Sequence, residues 1–130
     1  HALLREQDNQ AIPLINGLLW AFRRLLSIQE SLADGKTWDE AASMATVMGK
    51  KIPIKRKSDH GIYQAGSRYF SVNDTRNIIG LLGSYDITLR EFSNDVETII
   101  LEQLLATIII HRGKTIQTID YLTISKDAMF

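Results

Sequence analysis

Gly-Lys-Thr occurs twice in this chain of 130 residues, at residues 35–37 and 113–115. Lysine and a hydroxyl behind glycine form the end of a phosphate-binding loop, where backbone N–H groups cradle phosphates. That loop needs a further glycine five residues earlier, and the chain has Glu30 and Ile108 there. Both copies also follow helical patterns rather than strands, so each reads as a helix C-terminus with glycine supplying positive φ. His1, His60 and His111 share no metal-ligand spacing, and a histidine such as His111 near a helix C-terminus suits the helix dipole. Asp39 with Glu40, and Asp95 with Glu97, fall in first helical turns, where acids are stabilising for structural reasons. The absence of cysteine excludes disulfides, thiolate metal sites and a cysteine nucleophile. No G-x-S-x-G motif occurs. No catalytic, cofactor-binding or metal-ligating residue is expected.

One charged cluster stands out, Lys-Lys-Ile-Pro-Ile-Lys-Arg-Lys at 50–57. Lys50, Lys51, Lys55, Arg56 and Lys57 are candidate contacts to DNA phosphates. The competing reading is a solvated connector between helices, and a formal net charge of zero favours it. Phe92 is the aromatic residue placed to stack on a base, although it also ends an apolar stripe and so suits a core.

These residues are carried on segments that read as helices. Residues 10–34 place Ile15, Leu18, Leu19, Phe22, Leu26, Gln29, Leu32 and Ala33 at helical spacing, with Asn16, Arg23, Arg24, Ser27, Glu30 and Asp34 mainly opposite. Pro13 suits the first turn and Gly35 the stop. Thr37 and Glu40 form a capping box opening a short helix through about residue 48, ended by Gly49. Pro53 keeps 50–57 out of a helix interior, and a helix over 58–69 follows despite Gly61 and Gly66. Ser71 with Asp74 caps a helix over 72–92 whose stripe is Ile78, Leu82, Tyr85, Leu89 and Phe92. Gly80 and Gly83 weaken that helix unless a neighbouring helix approaches closely. Asp86 and Arg90 stand at i, i+4 in the favourable order. Ser93, Asn94 and Asp95 cap a last helix over 95–112, apolar around nearly its whole circumference, the mark of a helix buried in a bundle or an assembly.

The expected architecture is all-α, a single bundle of about five helices over 1–113, with an unassigned tail over 114–130. With 45% hydrophobic and 23% charged residues, the composition is that of a soluble globular domain. No continuous apolar run reaches the roughly 18 residues of a membrane span, and no signal peptide is visible near Arg5, Glu6 and Asp8. Because residue 1 is His rather than Met, the chain is expected to be a piece of a longer protein.

Taken in order, three segments resemble the C-terminal collar domain of the delta subunit of the bacterial DNA polymerase III clamp loader. The first is Leu18-Leu19-Trp20-Ala21-Phe22-Arg23-Arg24-Leu25-Leu26 followed by Gly35-Lys36-Thr37-Trp38-Asp39-Glu40-Ala41-Ala42. The second is Lys55-Arg56-Lys57 followed by Arg68-Tyr69-Phe70-Ser71, with Phe70 where the family usually has Trp. The third is Leu81-Leu82 with Asp86, Leu89 and Arg90, then a capped Leu- and Ile-rich helix. The similarity covers residues 12–112 and leaves the tail without a counterpart.

The resemblance implies a bacterial cytoplasmic scaffold without catalytic residues, part of a DNA-directed DNA polymerase holoenzyme. In that family five collar domains form a ring joining delta to the ATPase subunits and a delta-prime type subunit. The ring holds the loader together while the sliding clamp is loaded on primed DNA. Clamp contact belongs to an N-terminal part that these residues do not include. Leu82, Tyr85, Leu89, Leu101, Leu105, Ile108 and Ile109 are the candidate core or subunit-interface positions. No cofactor is implied.

The alternative is a helix-turn-helix DNA-binding module made of the helix after Thr37, the Lys-Arg-Lys turn and the next helix. Against it, the would-be recognition helix holds Gly61, Gly66 and one arginine.

Overall fold

The computed structural model describes residues 11–90 and 94–112, and the side chains of 11–90 and 99–112. Among the described residues the chain folds into five helices and one small hairpin: α1 (Ala11–Ala33), α2 (Trp38–Ser43), β1 (Thr46–Val47), β2 (Lys50–Lys51), α3 (Lys57–Tyr69), α4 (Val72–Arg90) and α5 (Asn94–His111). The predominantly helical character agrees with the pattern of the sequence. The expected cap at 93–95, Phe92 and the tail over 114–130 fall at least partly outside the described residues.

α1 is the axis of the fold and touches α2, β1, α3, α4 and α5. Its first half contributes Ala11, Ile15 and Leu19 to a core completed by Ile78, Leu82 and Leu89 of α4 and Leu101, Leu104 and Ile108 of α5. Its second half places Ile28 in a smaller cluster with Ala41, Ala42, Ala45 and Ile54. By length and composition α1 could cross a membrane, having an 18-residue window of mean hydropathy 1.3. Its polar residues, Asn16, Arg23, Arg24, Ser27 and Gln29 among them, leave it without a continuous apolar run. In the fold, α1 is the helix around which the others pack.

The ends of the helices follow from local chemistry. Gly35, at φ 91°, terminates α1: the Gly35 N–H donates to the Leu32 carbonyl and the Lys36 N–H to the Ser31 carbonyl, the paired bonds of a Schellman motif. The first Gly-Lys-Thr is thus a helix stop joined to a helix start. Thr37 caps α2, its hydroxyl accepting from the Glu40 N–H at 3.2 Å while its own N–H donates to the Glu40 carboxylate at 2.9 Å. At α4 the Asp74 N–H donates to the Ser71 hydroxyl at 3.0 Å and the Ser71 N–H to the Asp74 carboxylate at 2.9 Å.

Four expectations are corrected. The helix after Thr37 does not reach Met48; it stops at Ser43 and the chain forms an antiparallel hairpin pairing Thr46 with Lys51 and Val47 with Lys50. Its two-residue turn, Met48 and Gly49, has φ 53° and 80°, the positive pair of a type I′ turn. The basic connector is therefore part strand and part extended chain, and Lys57 already belongs to α3. A Cβ at Gly80 or Gly83 would meet nothing within 4 Å, so among the described residues no close helix approach compensates them.

Arg24 is the fourth correction. It is buried at 7% exposure rather than on the solvent side of α1. Its Nε donates to the Ile52 carbonyl at 3.0 Å and its Nη2 to the Pro53 carbonyl. Its guanidinium also lies 5.1 Å from the Trp20 ring centre and 5.3 Å from that of Tyr63. Two carbonyls and two aromatic rings thus take the place of a carboxylate partner.

Arg24→Met should cost about 3 kcal/mol, since two carbonyls lose a charged donor, and lower Tm by roughly 10 °C. Gly80→Ala should instead raise stability by up to about 1 kcal/mol, because nothing described obstructs a methyl there. Thermal and denaturant unfolding of the two variants checks both expectations.

Candidate interaction surfaces

The predicted interface positions divide between core and surface. Leu82, Leu89, Leu101 and Ile108 are buried at 4% exposure or less. Tyr85 and Leu105 are half-buried and pack against that core. Ile109 is 60% exposed, together with Ile110 at 68% and Ile99 at 65%. A helix apolar all round thus uses one side for the core and presents isoleucines on another. Ile99, Ala106 and Ile110 fall at spacings of seven and four along one exposed face, with Ile109 beside them. The polar members of this surface are Glu102 and Gln103.

α5 is fastened near its C-terminal end. The Tyr69 hydroxyl donates to the Ile109 carbonyl, and the Arg112 guanidinium stands 4.7 Å from the centre of the Tyr69 ring. Tyr69 meets Phe70 edge-on at 4.8 Å, and Phe70 meets Phe22 of α1 at 5.4 Å. The Gln29 side chain donates to the Phe70 carbonyl at 2.7 Å and ties the α3–α4 corner to α1. The exposed isoleucines are therefore held on a braced helix.

The second surface is basic. Lys50, Lys51, Lys55, Arg56 and Lys57 are all exposed. Arg56 pairs with Asp59 at 3.4 Å, whereas Lys50, Lys51, Lys55 and Lys57 show no ion pair among the described residues. Two features here escaped sequence reasoning. Arg23 reaches the hairpin tip, its Nη1 standing 3.6 Å from the Met48 sulfur, and Met48 is 80% exposed. The dipeptide Met-Gly between Thr-Val and Lys-Lys was the available signal, but it lacks the Asn-Gly or Asp-Gly that marks most such turns.

A third feature is an apolar groove of about 330 Å³ between α1 and α3, lined by Phe22, Leu25, Ile62, Tyr63, Gly66 and Phe70 among others. Gly66 lies under Leu25, whose methyl groups would stand 3.5 and 3.7 Å from an added Cβ. His60, with no metal partner among the described residues, accepts a hydrogen bond at Nδ1 from Trp38 Nε1 at 3.0 Å and joins α2 to α3. No group of three His, Asp or Glu side chains converges among the described residues.

Burial pushes the Tyr63 hydroxyl above its ordinary range, opposed by the hydrogen bond and charge of Arg24. Burial alone raises Tyr85. The two N–H and O–H donors of Thr37 hold the Glu40 carboxyl below its usual value, keeping the capping box charged. A tyrosine raised in the folded state contributes stability that is complete below the unfolded pKa of about 10 and is lost as pH rises through the folded value. Melting temperature should therefore fall above about pH 10, and Tyr63→Phe or Tyr85→Phe should make that fall shallower than in the parent. An unchanged slope in both variants would contradict the assignment.

Comparison with protein-family models, curated proteins and solved structures finds no match to this chain.

Proposed function

We propose that this chain is a helical oligomerisation domain of the clamp-loader collar type, from the delta subunit of a bacterial DNA polymerase III. Its role in this reading is non-catalytic. It joins delta to the ATPase subunits and the delta-prime type subunit, so that the loader holds together while the sliding clamp is placed on primed DNA. The observation that carries the reading is the divided use of α5. Leu101, Leu104 and Ile108 complete the core, while Ile99, Ile109 and Ile110 stay at 60% exposure or more. Apolar side chains grouped on one exposed helix face gain stability by burial against another protein.

The order of elements also supports it. The capped helix after Gly35, the basic segment before α3, and the Ser71 cap after Arg68-Tyr69-Phe70 fit the frame of the resembling motifs. The helix-turn-helix alternative is weakened by the hairpin, since residues 44–56 separate α2 from α3 where that motif has a turn of three or four residues. DNA is a secondary partner here, met by the basic segment, with Phe92 a further candidate outside the described residues.

Light-scattering chromatography with the ATPase subunits of the same organism's loader tests the proposal. A stable mixed complex is expected at micromolar concentration. Ile109→Asp with Ile110→Asp should abolish it while the free domain keeps its melting temperature, because both side chains are exposed. Leu105→Asp, on the half-buried side, should lower stability as well. Absence of a complex with the parent chain at tens of micromolar would overturn the reading.

A further inference from the structure

The hairpin carries a side chain that its own fold does not favour. Met48 occupies the first turn position at φ 53°, a left-handed conformation that a side chain with a Cβ adopts reluctantly and that Asn, Asp or Gly adopts readily. It is also 80% exposed, the greatest exposure among the large hydrophobic residues described. Neither backbone preference nor core packing accounts for methionine here.

The mount beneath it is firm. The Thr46 N–H donates to the Ser27 hydroxyl of α1 at 2.9 Å, and the two hydroxyls lie 3.2 Å apart. The Ile52 N–H donates to the Ala45 carbonyl at 2.7 Å, and Ala45 and Val47 are buried. Arg24 holds the chain leaving β2 through the Ile52 and Pro53 carbonyls. The hairpin is thereby fixed to α1 with its apolar tip outward. Lys50 and Lys51 flank the tip in β2, and Arg23 reaches the Met48 sulfur.

We propose that this tip is a wedge for single-stranded nucleic acid, in which Met48 packs on the face of an unstacked base while Arg23, Lys50 and Lys51 contact the adjoining phosphates. The cations select a polyanion. A narrow, polarizable thioether needs an apolar face, which a single strand offers freely and a closed duplex hides within its stack. The inference rests on the nucleic-acid contact suggested above for the basic segment, and it is independent of the assembly surface on α5.

Fluorescence anisotropy with a labelled strand of about 20 nucleotides and a blunt duplex of equal length, at roughly 50 mM salt, tests it on the full chain. Met48→Asn should melt at an equal or higher temperature, yet bind the strand about five- to tenfold more weakly, with duplex affinity unchanged. Lys50→Gln with Lys51→Gln should weaken both ligands and reduce the salt slope for the strand by about 1.4. Undiminished strand binding by Met48→Asn would overturn the wedge, as would a parent chain that fails to bind the strand. A mixed complex with the ATPase subunits would survive either of those results, so this inference and the collar reading fail separately.

Discussion

The α2, hairpin and α3 side of the structure depends most on one buried cation. Arg24 leaves the middle of α1 and satisfies the carbonyls of Ile52 and Pro53, groups that no strand or helix pairs. An extended segment laid against a helix has unpaired polar groups, and burying them without donors is costly. Arg24 supplies the donors, while the Trp20 and Tyr63 rings offset the loss of water around its charge. The contact fastens the chain between the hairpin and α3 to α1.

From that point the molecule divides into a part that rests on Arg24 and a part that does not. The α2, hairpin and α3 side gathers around Ile28, Ala41, Ala42, Ala45 and Ile54. The α4 and α5 side packs aliphatic layers onto the first half of α1 and holds no buried cation among the described residues. Phe22, Phe70, Tyr69 and Arg112 link the two through successive ring contacts. Each side presents one distinctive surface, basic at the hairpin and apolar on α5. A chain of zero net charge thus separates its basic and apolar surfaces by place.

The features legible in the sequence are those set by neighbours within about four residues. The boxes at Thr37 and Ser71, the stop at Gly35 and the stripe through Ile78, Leu82 and Leu89 needed only local spacing. The hairpin was hidden because strands of two residues are too short to show alternation, and Met48-Gly49 lacks the usual turn chemistry. Arg24 was misplaced because its partners lie 28 and 29 residues away, and helical periodicity carries no information about them. For α5 the uniform apolarity was evident, but which side stays exposed depends on how α1 and α4 meet it. The exposed basic residues at 50–57 were readable, whereas the Met48 tip depended on the turn.

Isoleucine methyl NMR of the labelled chain, alone and mixed with unlabelled ATPase subunits, reads directly whether the exposed face of α5 is buried in the assembly. Burial of that face predicts shifted or broadened resonances for Ile99, Ile109 and Ile110, with little change at Ile15 and Ile28 inside the two cores. Resonances of Ile99, Ile109 and Ile110 that stay unchanged in the presence of the partner subunits would contradict it.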